Sequence, residues 1–295
     1  MSRQPLHIVF TMTCEAVSSS RVPYGPKAWE QSARAIEGFS NHLLAAGYPP
    51  TLFVDPWSAE EHSPLLEELA ERGVDLGVYV HPPALSNGMY KRNLGQYGAE
   101  EQHAMFEVSV ERVRSALEVA PRSFRAGNYS ANDDTFRLAF EHGFRQGSVS
   151  HPGRHLPQEG AEWSGAETDA HYVDPQDRLR AGTMPFLEVP VTTDPDRLHR
   201  RGMPFDLTIE GGVFEQWHRP LAEARLGRME ERGVAFRTLC ITTLNRFAYH
   251  DKDSKESGTL GKLVAYLDGL AGEYELVPAT LADAHERYLR LPQRP

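Results

Sequence analysis

The feature that most constrains this chain is an alternation of short apolar runs without helical period and stretches whose apolar residues recur at three- and four-residue steps. The runs fall at residues 7–12, 51–54, 75–81, 123–127, 147–150, 186–191 and 235–243. The first helical stretch carries Trp29, Ala33, Ile36, Phe39, Leu43 and Leu44, the second Leu65, Leu66, Leu69 and Ala70. The longest, over 99–119, carries Met105, Val108, Val113, Ala116 and Leu117. Helices are also predicted around Phe136, Ala139 and Phe140, over 214–232 with a break at Pro220, and, as the last, over 260–270; residues 275–277 and 281–288 close the chain. Seven strand–helix alternations, with no fixed repeat and no glycine-rich phosphate loop, predict a parallel α/β barrel, an open doubly wound sheet being the alternative. No linker interrupts the pattern, so residues 1–295 read as one domain with a long irregular insertion at 151–184.

Charge and cysteine content narrow the function. A net charge of −10 without a basic stripe argues against nucleic acid. No apolar run approaches the roughly 18–20 residues of a membrane span. The chain enters its first strand almost at once, leaving no room for a signal peptide, and its two cysteines, Cys14 and Cys240, are too few for a disulfide framework. A cytoplasmic protein is expected, which favours a small-molecule or carbohydrate-derived substrate over an extracellular polysaccharide.

Parallel barrels collect their chemistry where the strands end. Those ends carry Thr13, Cys14 and Glu15, then Asp55, Tyr79 and His81, Arg125 and Asn128, Ser148, Ser150 and His151, Glu188, and Thr242, Thr243 and Asn245. The run Val78-Tyr79-Val80-His81-Pro82-Pro83 delivers an imidazole to the rim and stops at two prolines. Each residue also has a plainer reading. His81 can cap its strand, Cys14 can be a small buried hydrophobe, and Arg125 can tether strand to loop. Glu15 is harder to set aside, because a carboxylate at a buried strand end needs a cation beside it. Arg125, which would make the pair structural, and a metal are the two candidates. Trp163 and Tyr172 mark 151–184 as a segment that closes over the pocket and sets specificity.

Taken together the strand ends resemble the polysaccharide deacetylase family, the NodB-homology carbohydrate esterases. The residues that carry the likeness are Phe10-Thr11-Met12-Thr13-Cys14-Glu15, Thr51-Leu52-Phe53-Val54, Gly73-Val74-Asp75-Leu76-Gly77-Val78-Tyr79-Val80-His81-Pro82, and Phe124-Arg125-Ala126-Gly127-Asn128-Tyr129, followed by Thr135 and Gly143-Phe144. The resemblance implies a distorted (β/α)7 barrel and hydrolysis of an N-acetyl C–N bond. In the family an aspartate base acts on water held by zinc or another divalent ion through an Asp and two His. Here the base position falls on Thr13, the metal aspartate on Cys14, the metal histidines on Tyr79 and Pro83, and the late-strand acid near Leu244; Arg125 alone matches as it stands.

Two expectations follow. Either a rewired hydrolase uses Glu15 and His81 as metal ligands, base or acid, with Cys14 or a histidine of the insertion (His151, His155 or His171) completing the site. Or the metal is gone, and the pocket binds a ligand without turnover or runs acid–base chemistry through Glu15, Tyr79, His81 and Arg125. Thr13, Asn128, Asp55, Trp163 and His151 are expected to contact substrate.

Overall fold

The computed structural model describes residues 3–20, 22–85, 89–199 and 202–291. Its main sheet has nine strands, numbered here in chain order: β1 Gln4–Cys14, β2 Thr51–Val54, β3 Asp75–Val80, β4 Ser123–Ala126, β5 Gln146–Gly147, β6 His171–Val173, β7 Met184–Glu188, β8 Arg237–Leu244 and β9 Tyr274–Pro278. Seven run parallel in the order β8-β1-β2-β3-β4-β5-β7, β6 lies antiparallel on the β7 edge, and β9 pairs with the start of β1 beside β2. Beyond β7 the chain curls back to β8, where the Thr192 amide donates to the Cys240 carbonyl at 3.1 Å. This is the parallel barrel that the alternation predicts, in the distorted (β/α)7 form that the resemblance implies.

The period-two pleat sorts β1 into two faces. Leu6, Ile8, Phe10, Met12 and Cys14 point outward into the large core under the helices. Val9 points inward to a smaller core with Phe53, Tyr79, Leu187, Val189 and Cys240. On the same inward register Thr11, Thr13 and Glu15 climb toward the C-terminal rim, all buried. A strand that reads as an unbroken apolar run is thus apolar outward and increasingly polar inward.

Several expectations shift. The fifth strand is only Gln146–Gly147, because Val149 and Ser150 give their amides to the Glu188 carboxylate instead of a ladder. Pro220 does not break its helix: His218–Glu231 begins two residues earlier and takes the proline in its first turn, where the missing N–H costs nothing. The 151–184 segment contains a small hairpin of His155–Leu156 and Ala161–Glu162 as well as the sheet strand His171–Val173. No helix of the described residues is long and apolar enough to cross a membrane.

Candidate active site at the barrel rim

β1 and β3 end two strands apart, with β2 between them, and their inward residues meet over the barrel. Glu15 Oε1 lies 2.5 Å from His81 Nδ1, with the two residues 4% and 5% exposed. Asn245 clamps the backbone of Glu15 from both sides. Its Oδ1 accepts the Glu15 amide at 3.0 Å and its Nδ2 donates to the Glu15 carbonyl at 2.9 Å. Gly127 makes room on the other flank, since a Cβ there would stand 2.5 Å from His81 Cδ2. His81 Nε2 carries no hydrogen bond to any described residue. Among the described residues the pair is therefore fixed at one nitrogen and unbonded at the other.

Tyr79 sits one inward position below His81, ring centroids 5.7 Å apart. Burial first, and then the Glu15 charge, push its phenol well above the ordinary range, so it stays protonated. The next residues form the rim itself. Asn128 and Tyr129 both have left-handed backbones, φ 53° and 58°, an uncommon state for two successive non-glycine residues. Three contacts hold this turn: Trp163 Nε1 donates to the Tyr129 carbonyl at 2.7 Å, Arg154 Nη1 to the Asn128 carbonyl at 3.3 Å, and Asn128 Nδ2 to Asn93 Oδ1 at 3.1 Å.

Arg125 forms the floor. It is 1% exposed and gives five hydrogen bonds: to the Ser148 carbonyl (2.8 Å), Thr13 Oγ1 (3.3 Å), Thr242 Oγ1 (2.9 Å), Thr11 Oγ1 (3.0 Å) and Ser148 Oγ (2.9 Å). A guanidinium has five N–H groups, so none is left for a substrate. The expected Glu15–Arg125 pairing is corrected: Glu15 takes His81 as its partner, and Arg125 makes no ion pair with a described carboxylate. Its assignment as a reacting group gives way to that of a positioning residue, with Thr13 among the acceptors it holds.

Other expected site residues are placed elsewhere. Cys14 is fully buried on the outward face of β1, and burial, then the Asp55 charge, raises its thiol well above the ordinary range. One residue of register separates it from Glu15, and that single step turns it to the helices. Asp55 caps the helix Pro56–Glu61 through the Ser58 amide at 2.7 Å and ties the Ala16 amide at 2.7 Å with its other oxygen. Both oxygens are engaged by backbone, and burial raises its pKa to about 6. Trp163 does not close over the pocket; it is fully buried, and its indole N–H serves the Tyr129 carbonyl from within. His151 lies beyond Tyr129, ring centroids 5.1 Å apart, with Nε2 3.0 Å from Asp206 Oδ2.

A divalent ion fits poorly. The family positions for its ligands are Cys14, turned outward, Tyr79, protonated, and Pro83, which has no donor. No group of three or more His, Cys, Asp or Glu among the described residues could hold a metal, and the Glu15–His81 pair at the rim is bonded to itself. The proposed completion of the set by Cys14, His151, His155 or His171 is thus not what the geometry brings together.

Of the residues read off the strand ends, the structure brings Glu15, Tyr79, His81 and Asn128 to the rim. Reading the strand ends missed Gly127 and Tyr129, whose signal was the Gly-Asn-Tyr step after the arginine, and Asp206, which meets His151 across 55 residues with no local sign.

Comparison with solved structures places this fold in a class. A Mycobacterium smegmatis protein assigned as a polysaccharide deacetylase superposes with TM-score 0.65 at 14% identity, covering 100% of this chain and 94% of its own. A Pseudomonas aeruginosa PAO1 protein with the same assignment gives 0.64 at 15%, covering 97% and 91%. Puue allantoinase gives 0.61 at 14%, covering 96% and 90%. No family model and no curated protein matches the sequence. The chain has the polysaccharide deacetylase fold, as its strand ends lead one to expect. At these identities the likeness is one of fold.

Proposed function

We propose that this chain is a metal-independent enzyme that cleaves a C–N bond of a small, neutral amide or sugar-derived substrate, with His81 as the proton carrier and Glu15 as its partner. The observation that carries the reading is the buried 2.5 Å contact between Glu15 Oε1 and His81 Nδ1, with no hydrogen bond from Nε2 to any described residue. An anionic partner on Nδ1 fixes the tautomer that presents the Nε2 lone pair and steadies the imidazolium once it forms.

Nε2 takes a proton from water as the water oxygen bonds to the substrate carbonyl carbon. It returns that proton to the departing nitrogen as the C–N bond breaks, giving a carboxylic acid and an amine. The Tyr79 hydroxyl, protonated by burial, is the candidate donor to the carbonyl oxygen as charge collects there. Asn128 and Thr13 remain the candidate substrate contacts nearest this step. The names of the structural neighbours, two deacetylases and an allantoinase, support a hydrolytic reading. The two free cysteines support a reducing cytoplasm, and the continuous sheet supports one domain.

One observation favours a second reading. Glu15 and His81 are nearly enclosed, which suits a homologue that binds a ligand without turning it over. Incubating the full chain with a panel of N-acetyl sugars and simple amides, and assaying acetate and free amine, separates the two. Turnover that disappears in His81→Ala supports the enzyme. Ligand-induced thermal stabilisation without product supports the binder and overturns the enzyme.

A further inference from the structure

Glu15 is the first residue beyond the end of β1, and the two flanking strands reach past their own ends to hold it. The ladder between β1 and β8 runs to the pair Thr13 and Leu244, with one further bond from the Asn245 amide to the Thr13 carbonyl at 3.0 Å. There the Asn245 side chain takes over, accepting the Glu15 amide and donating to the Glu15 carbonyl. A carboxamide is a peptide group on a short stem, so it replaces the peptide that β8 would have offered next. On the other flank β2 does the same for the neighbouring residues. The Asp55 carboxylate accepts the Ala16 amide, and the Asp55 amide donates to the Cys14 carbonyl at 3.1 Å.

These contacts also fix which way Asn245 faces. A backbone amide only donates and a backbone carbonyl only accepts, so Oδ1 and Nδ2 cannot be exchanged. Nδ2 is therefore the donor in its second contact, to Ser32 Oγ at 2.7 Å. Ser32, near the start of the helix Trp29–Ala45, keeps its own proton for its other partner, His62 Nε2 at 2.9 Å. Burial lowers the His62 pKa, with the Glu61 charge opposing it, so that nitrogen has the lone pair this donation needs. His62 is set between the helices Pro56–Glu61 and Ser63–Glu71, its amide on the Ser58 carbonyl at 3.0 Å and its ring edge-on to Trp29 at 5.4 Å. Asn245, Ser32 and His62 are all buried. The run of donors and acceptors from Glu15 to His62 Nε2 has a single direction.

We propose that Asn245 is the positioning residue of the Glu15–His81 pair, oriented from behind by Ser32 and His62. It holds the Glu15 backbone where the ladder ends, and through it the carboxylate against His81 Nδ1. This rests on the reading of that pair as the proton carrier, and it assigns the pair's alignment to side chains that touch neither reacting group.

The test reads the pair with and without turnover. In the full chain, isotope-labelled in its histidines, the short Glu15–His81 contact should give a far-downfield Nδ1 proton by NMR. Asn245→Ala should displace that signal, as should Asn245→Asp, which keeps the shape and the acceptor but removes the donor; Ser32→Ala should displace it less. Tyr48, beyond the other end of the helix that carries Ser32, donates to Asp268 at 2.6 Å. Tyr48→Phe is the structural control and should leave the signal in place. On the amide the chain turns over, Asn245→Asp should lower kcat by roughly 10- to 100-fold with KM nearly unchanged. A signal and a kcat that survive in both Asn245 variants overturn the positioning role and leave the proposed function standing. A signal displaced equally in Tyr48→Phe reports general stability and overturns that role too. A Ser32→Ala spectrum identical to wild type overturns the part given to Ser32 and His62. A signal that moves only in the Asn245 and Ser32 variants, in a chain that turns nothing over, upholds the positioning role and overturns the proposed function.

Discussion

Arg125 and His81 stand on adjacent strands, both almost fully buried, and both inward-facing on the same barrel. They differ in what they have left to give. Arg125 spends every N–H on hydroxyls and a carbonyl of three different strands and their ends. His81 is held by one nitrogen, and the other has no hydrogen bond to a described residue. A saturated polar group is a fastener, whereas one that is rigidly held and still incomplete can do chemistry. The residue that best matches the family pattern is thus the saturated one, and the residue off that pattern is the one proposed here to react.

That contrast breaks most sharply at His81. His81→Ala should lower kcat/KM by roughly 10²- to 10⁴-fold, far more than the accompanying drop in melting temperature from the orphaned Glu15 carboxylate can explain, measured by steady-state kinetics beside thermal unfolding. Arg125→Met should show the opposite profile, losing roughly 3 kcal/mol of stability because its buried acceptors go unmatched; denaturant unfolding measures it. Gly127→Ala tests the geometry around His81 without touching its chemistry. The new Cβ would meet the imidazole at 2.5 Å, so an activity loss of about tenfold is expected with a stability cost of about 1–2 kcal/mol.

The smallest effect lies outside the pair. Burial raises the Glu210 pKa from 4.5 to about 7, while Thr243 Oγ1 donates to it at 2.9 Å. The folded state then binds more protons than the unfolded state between those values, so this carboxyl lowers stability as pH rises through the window. Glu210→Gln removes the penalty. Denaturation midpoints should show the variant gaining on the wild type by about 1 kcal/mol between pH 4.5 and pH 7, and a gain in the acid direction would show that the carboxylate is favourably held.

Much of the barrel is legible in the sequence because strand and helix periods are local. Thr51–Val54 has the predicted bounds, and β3 and β4 each end one residue short of prediction. The same period-two rule puts Tyr79 and His81 on one face, as expected, and applied to β1 it separates Glu15 from Cys14. What was not legible depends on contacts between distant segments. Asp55 looks like a rim acid until the Ala16 and Ser58 amides claim both its oxygens. Trp163 looks like a lid until its indole is found beneath the Tyr129 carbonyl. Arg125 looks like a partner for Glu15 until hydroxyls from several strands saturate it, and no local pattern announces that His151 will meet Asp206.

The central claim is that the Glu15–His81 pair works without a metal, and metal dependence of turnover tests it most directly. The full chain, dialysed against a strong chelator and shown metal-free by elemental analysis, should keep its kcat/KM on the amide it turns over, gain nothing from added zinc, and lose activity in His81→Ala. Activity that vanishes on chelation and returns with one equivalent of zinc would contradict the account.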